Sequence, residues 1–374
     1  MTVLKCSLKK VLIMEWKFAS DIWQQLKSQN RPLVIYGMGL GAEKVMVQLK
    51  RIGMSASAVF ASDDFVRGHR FCGFDVLTLE QIKAVFDNFI ILLSFASSLP
   101  EVMAQIYTLS EETELVAPAL PVAGTQLFDT AYAKQHEKQI DAAYSLMADE
   151  FSKKTFEHLI SYMLDGRIEH FKAIDCEKSE GYALLELEPG EHYADLGAYN
   201  GDTIRELISA AGMPDSIIAV EPDKKNFAKL VRMLENEGIE NATVFNCGVY
   251  SEKAAIRFSQ KSGRHSSASD SAPVYTSNNL NSDSFCPMDS LDNMAAGRKV
   301  TIIKMDVEGA ETQALLGAKE TIRAQKPKLI VSGYHRAEDI FTLPLLIKEL
   351  HPDYRIFLRK HPYIPAWDFN FYCK

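Results

Sequence analysis

A short apolar run, His192-Tyr193-Ala194-Asp195-Leu196, ends beside an acid and opens into the turn Gly197-Ala198-Tyr199-Asn200-Gly201-Asp202. A second run closes at Val220-Glu221-Pro222-Asp223, which puts Glu221 26 positions after Asp195. Glycines in such a turn let the backbone approach a ligand, and an acid closing the second strand can accept both hydroxyls of a ribose. The spacing Asp195-x-Gly197-x-x-x-Gly201 is not the Gly-x-Gly-x-x-Gly loop. That loop crowds glycines and a helix N-terminus around a pyrophosphate. An acid ahead of the turn suits a cationic nucleoside that carries an amino acid, and S-adenosylmethionine has that chemistry.

A second group of reactive residues follows. Asp306-x-Glu308-Gly309 ends another apolar run. Positions two apart would share one face of a continued strand, whereas a turn at Gly309 lets both carboxylates converge on the crevice mouth, where α/β sheets bind ligands. The competing reading is a helix cap by Asp306, with Glu308 favouring the first turn. His335, in Gly333-Tyr334-His335, also follows a strand end. Imidazole suits proton removal from a hydroxyl near neutral pH, although a single histidine is more often a structural hydrogen-bonder. Asp292, Asp306 and His335 offer a divalent-metal alternative, without a helical ligand pair such as H-E-x-x-H to support it.

These residues need strands to carry them. Apolar periodicity places strands at about 192–196, 217–221, 243–247, 254–259, 300–305, 328–332, 353–359 and 368–373, with a helix over Thr203–Ala211. The last two are joined by a Pro-rich loop too short for a crossover helix, so they are antiparallel neighbours. The expected fold is α/β: a mostly parallel Rossmann-like sheet with a C-terminal antiparallel hairpin, over residues 181–374.

Residues 1–30 read as a leader and a helix with Phe18, Ile22, Trp23 and Leu26 at helical spacing. Residues 31–130 read as a smaller Rossmann-like unit with strands at Pro32–Tyr36, Ala56–Phe60 and Phe89–Leu93. Its Gly37-x-Gly39-x-Gly41 turn and Asp63-Asp64 are placed to meet a nucleotide. Residues 131–180 form a helical connector with an apolar stripe from Tyr144 to Met163 that stops at Asp165-Gly166. Ser259–Ser284, rich in Ser, Asn and Asp, reads as a long surface loop, either a lid or a solvated insertion.

At 374 residues, two domains are the natural expectation. A net charge of −8 without a long Lys/Arg run argues against a nucleic-acid groove. Six scattered cysteines with no C-x-x-C pair favour reduced thiols and a cytoplasmic setting. Lys5, Lys9 and Lys10 precede Val11-Leu12-Ile13-Met14, a run too short for a signal core or a membrane span. Met14 is an alternative start.

Taken together, the second half of the chain, from about residue 144, resembles the FkbM family of S-adenosylmethionine-dependent methyltransferases. The resemblance rests on Leu146-Met147-Ala148-Asp149-Glu150-Phe151-Ser152, Asp195–Asp202, Val220–Asp223, Ser290-Leu291-Asp292, Ile303–Glu311 and Tyr334–Asp339, in that order. It implies O-methylation of a hydroxyl on a sugar or polyketide. It also implies that Asp195, Gly197, Asn200, Gly201 and Asp202 surround the methionine part of the cofactor, with Glu221 and Pro222 at the ribose. Asn246, Cys247 and Gly248 then fall at the adenine, and Asp306, Glu308 and Gly309 match the D-x-E-G signature. The first unit is similar to small nucleotide-sugar-binding domains, so the expected acceptor is a sugar or nucleotide-linked sugar. Two rivals remain: an NAD(P)-dependent oxidoreductase working through the first unit, and a non-catalytic nucleotide-sugar-binding protein.

Overall fold

The structure, a computed structural model, describes residues 20–66, 68–257 and 285–374. The Ser-rich loop of the sequence reading, Phe18 and the lysines of the leader lie outside these residues. The helix Ile22–Lys27 buries Ile22, Trp23 and Leu26, and Asp21 caps it.

Six strands make the first sheet: β1 Leu33–Tyr36, β2 Ala58–Phe60, β3 Arg70–Phe71, β4 Phe74–Leu77, β5 Ile90–Leu93 and β6 Leu115–Val116. Their order is β3-β4-β2-β1-β5-β6, parallel throughout except for the β3–β4 pair. The continuous apolar runs of β1 and β5 are wholly buried, as parallel strands covered on both faces require. The helix Leu40–Arg51 sits tightly on this sheet. A Cβ at Gly41 would lie 1.9 Å from the Ser94 carbonyl oxygen, so this glycine serves close packing. Asp63 and Asp64 open a short helix, Asp63–Val66, just after β2.

The apolar stripe of the connector is divided between the helices Glu137–Ser145 and Glu150–Asp165. Asp149 caps the second helix through the Ser152 N–H, and Gly166 ends it in the left-handed conformation at φ +69°. Asp149 also pairs with Arg359 at 2.7 Å, and the Ser152 hydroxyl accepts from the Leu358 N–H at 2.9 Å. The 146–152 motif is therefore an anchor onto the second sheet. One buried cluster runs from Val34 and Ile91 of the first sheet, through Phe156 and Leu159, to Ile303 and Leu329 of the second.

The second sheet and its side ribbon contain β7 His192–Leu196, β8 Ser216–Val220, β9 Ala242–Phe245, β10 Gly248–Val249, β11 Ala254–Arg257, β12 Phe285–Asp289, β13 Ile302–Met305, β14 Lys328–Ser332, β15 Ile356–Lys360 and β16 Phe369–Cys373. The main order is β15-β16-β14-β13-β7-β8-β9, with only β16 antiparallel to its neighbours. This is the mostly parallel sheet with a C-terminal hairpin that the sequence leads one to expect; β16 inserts between β14 and β15. The chain leaves β7 toward β8 and later returns on the other side at β13. The β7/β13 boundary is thus the switch point at whose carboxyl ends such sheets bind ligands. A separate ribbon, β10-β12-β11, contains the strand expected at 254–259 as β11 and adds β10 and β12 to the sequence reading. Its middle strand carries Pro287, which hid it from a strand reading.

Candidate active site

The turn after β7 is built on positive φ angles: Gly197 at +87°, Tyr199 at +48° and Gly201 at +87°. A Cβ on Gly197 would meet the Asp306 carbonyl oxygen at 1.9 Å, so the turn after β7 packs directly on the one after β13. Asp195 lies beneath it, fully buried. Its Oδ2 accepts from the Thr203 hydroxyl at 2.5 Å, and its Oδ1 stands 3.4 Å from Lys304 Nζ with no hydrogen-bond partner. Burial raises the Asp195 carboxyl, with Lys304 and Thr203 opposing. Lys304 also donates to the Gly197 carbonyl at 2.9 Å and lies 3.9 Å from Asp306.

Glu221, at the end of β8, lines a cleft of about 900 Å³. Its two oxygens accept the N–H groups of Tyr199 and Asp223, each at 2.9 Å, which aims the carboxylate. Burial pushes its pKa up to about 7 against those two hydrogen bonds. Gly197, Asp202, Pro222 and Gly248 also line the cleft, whereas Asp195, Asn200 and Gly201 lie behind its wall.

Two of the three residues expected at an adenine are turned elsewhere. Asn246 donates to the carbonyls of Glu221 and Pro222 at 2.9 and 3.2 Å, holding the β8 end in place. Cys247 is buried with its Sγ 3.9 Å from Met294. Gly248 reaches the cleft, joined by Val249 and by Met288 of the unexpected strand β12.

Beyond β13 the carboxylates do converge. Glu308 takes a left-handed conformation at φ +53°, a non-glycine strain on the order of 1–2 kcal/mol. The fully buried Glu311 holds this turn by accepting the Val307 N–H at 2.9 Å, and Arg336 Nε donates to the Gly309 carbonyl at 2.7 Å. The helix begins only at Glu311, with Ala310 as an uncapping N-cap, so the cap reading of Asp306 gives way to this turn. His335 Nδ1 lies 2.9 Å from Glu311 Oε1, and its Nε2 lies 3.4 Å from Asp306 and 3.8 Å from Glu308. The Tyr334 hydroxyl donates to Asp306 at 3.1 Å.

This cluster fixes protonation states. Burial alone would lower the His335 pKa, but Glu311 first, then Asp306 and Glu308, raise it to about 10. Such a histidine is an imidazolium at neutral pH and has no free lone pair for a substrate proton. That weighs against the base role expected of it from the sequence. Burial also raises Asp306, but Lys304, His335 and Tyr334 outweigh it and hold that carboxyl low. Glu308 is pushed up to about 7, chiefly by burial. The metal trio of the sequence reading is not assembled. Asp292 caps the helix Lys319–Gln325 through the N–H groups of Glu320 and Thr321 at 3.0 and 2.9 Å. Donor atoms of Asp306, Glu311 and His335 do lie within 4.8 Å of one another, a spacing that could hold a metal ion.

The first sheet closes the other side of the cleft. Ser98 and Pro100 after β5, Met103 and Tyr107 on the helix Pro100–Glu112, and Val122 after β6 all line it. The β15–β16 loop adds Tyr363, Trp367 and Asp368. Sequence reasoning named none of these, because nothing in the local pattern says which strand-end loops of two sheets will meet. At the nucleotide end expected in the first unit, rings occupy the strand ends. Tyr36 stacks on Phe60 at 4.4 Å and meets Phe95 edge-on at 4.8 Å.

Residues 195–365 match the family model described as the methyltransferase FkbM domain. A crystal structure of methyltransferase FkbM from Methylobacillus flagellatus KT is similar over 96% of this chain and 95% of its own, at 21% identity and a TM-score of 0.71. An rRNA methylase from Streptococcus thermophilus aligns over 53% of this chain and 93% of its own, at 15% identity and a TM-score of 0.33. Fibrillarin from Aeropyrum pernix, with natively bound S-adenosyl-L-methionine, aligns over 52% and 73%, at 10% identity and a TM-score of 0.32. No curated protein matches the sequence. Among the described residues, no helix is long and apolar enough to cross a membrane.

Proposed function

We propose that this chain, a methyltransferase of the FkbM family, transfers the methyl group of S-adenosylmethionine to a hydroxyl of a sugar. The carrying observation is Glu221, whose carboxylate is aimed by the Tyr199 and Asp223 amides into the cleft beside the β7/β13 switch point. When bound there, S-adenosylmethionine supplies a methyl group on a sulfonium. Glu221 accepts the ribose hydroxyls, the turn from Gly197 permits close approach, and Asp202 favours the amino group. Gly248, Val249 and Met288 offer the adenine an apolar slot.

On the acceptor side the hydroxyl oxygen forms its bond to the methyl carbon as the carbon–sulfur bond breaks, and the hydroxyl proton must leave. Glu308 takes it, because a carboxylate with a pKa near 7 lining the cleft is matched to that task. His335 and Asp306 position and polarise rather than accept the proton. Much of the rate comes from alignment in the closed cleft. We place the reaction in the cytoplasm, on the scattered cysteines.

Calorimetric titration with S-adenosylhomocysteine tests the reading, with Glu221→Ala as control. Micromolar binding lost in the variant is expected. A folded protein that does not bind S-adenosylhomocysteine overturns it.

A further inference from the structure

The cleft has a charge pattern that narrows its substrate. Glu177, Asp306, Glu308 and Asp368 line it, and the positive groups beside them are already engaged. Lys178 pairs with Glu206 at 2.8 Å and stands 3.9 Å from Asp368. Lys304 lies between Asp195 and Asp306, and His335 is held by Glu311. His361 has both ring nitrogens within hydrogen-bond distance of Cys176 and Tyr372 oxygens. Arg336, next in sequence to His335, turns its Nε to the Gly309 carbonyl and lines a separate small recess.

Three aromatic residues from the first sheet and the β15–β16 loop line the same cleft: Tyr107, Tyr363 and Trp367. The Tyr107 hydroxyl is buried and has no hydrogen-bond partner, so a ligand hydroxyl would satisfy it. Aromatic rings in a cleft that also holds carboxylates suit the C–H faces of a sugar ring and attract an ammonium group; Lys172 Nζ already lies 5.1 Å from the Tyr107 ring centre. A diphosphate entering the same space would meet carboxylates with no uncommitted cation among the described lining residues.

Building on the S-adenosylmethionine reading, we propose that the acceptor is an amine-bearing sugar free of phosphate, held by the aromatic rings and carboxylates that line this cleft. This replaces the nucleotide-linked acceptor expected from the sequence. Tyr107 is a specificity residue contributed by the first sheet, whose role is thereby acceptor recognition rather than nucleotide tethering.

The test is calorimetry on protein saturated with S-adenosylhomocysteine, using three probes of one skeleton: the β-1,4 disaccharide of glucosamine, its N,N′-diacetyl form and UDP-N-acetylglucosamine. The amine form should bind at least about tenfold tighter than the diacetyl form, and the UDP sugar weakest. Asp368→Asn together with Glu177→Gln should shrink the amine preference severalfold without changing S-adenosylhomocysteine affinity. Tyr107→Phe should weaken both disaccharides alike. Tightest binding by the UDP sugar overturns the proposal. So does equal binding of the amine and diacetyl forms, or binding of none of the three. Failure to bind S-adenosylhomocysteine instead overturns the functional reading itself, before any saccharide is added.

Discussion

His335→Gln is the most informative single change, because it removes a buried cation and leaves its carboxylates behind. His335 is 1% exposed and lies within 4 Å of Glu311, Asp306 and Glu308. Removing one partner of a buried charge group costs about 3–5 kcal/mol, since the remaining charge is left uncompensated. For a protein of this size that is a fall in melting temperature of about 4–6 °C. The pH dependence separates this cause from a packing defect. The His335 pKa rises from an ordinary 6.5 to about 10 on folding. Its stabilisation is therefore fully present below pH 6.5 and is lost as pH rises through 10, with a slope of up to about 1.4 kcal/mol per pH unit. The wild type should lose stability across that window, while the glutamine variant, lacking the group, should not show this slope. The gap between them should close toward pH 10. Urea unfolding of both proteins at half-unit steps from pH 6 to 10 measures it. A gap as large at pH 10 as at pH 7 refutes the imidazolium and with it the assignment of proton removal to Glu308.

Glu221 has its pKa raised to about 7 by burial, so it is increasingly protonated as pH falls below that value. S-adenosylhomocysteine affinity should weaken from pH 8 to pH 6, and Glu221→Gln, weaker throughout, should be flat over the same range by calorimetry. Gly197→Ala places a Cβ 1.9 Å from a backbone oxygen at φ +87°, so the turn must shift. Thermal denaturation should show a loss of at least about 1–3 kcal/mol, together with weakened S-adenosylhomocysteine binding. Thr203→Val removes the hydroxyl that donates to the buried Asp195 and should cost about 1–3 kcal/mol in urea unfolding. Glu308→Gln should cut methyl transfer by about 10²–10⁴-fold in a radiolabel assay while leaving S-adenosylhomocysteine affinity intact.

The sheet was legible because its strands are short apolar runs that end in acids and glycines. Asp195 and Glu221 announce β7 and β8 in that way, and the short Pro-rich link announces the terminal hairpin. The proline in β12 broke the same signal, and Met288 went unseen with it. Of the residues gathered around the cofactor turn, local pattern located the positions but not the directions of side chains. Asn246 and Cys247 stand where the family resemblance implies an adenine, yet one holds two carbonyls and the other fills the core. Protonation was illegible for a plainer reason. The pKa of His335 depends on Glu311, 24 positions earlier and on another element, and only the fold brings them to 2.9 Å. The wall formed by Met103 and Tyr107 is hidden for the same cause, since it belongs to a helix of the other sheet.

The charged groups at the switch point form one sequence of alternating sign: Asp195, Lys304, Asp306, His335, Glu311. Successive members stand 3.4, 3.9, 3.4 and 2.9 Å apart and come from β7, β13, β14 and the turns that follow them. Buried ion pairs rarely stabilise a fold more than apolar residues of the same volume would, because the desolvation cost offsets the attraction. Stability is thus a poor reason for keeping five such groups together. Position is a better one. Lys304 ties the Gly197 carbonyl of the cofactor turn to Asp306, and His335 ties Asp306 to the strained turn that presents Glu308. Each end also has its own hold, Thr203 on Asp195 and Arg336 on the Gly309 carbonyl. Preorganised charge of this kind lowers a barrier because it needs no rearrangement when the reaction occurs.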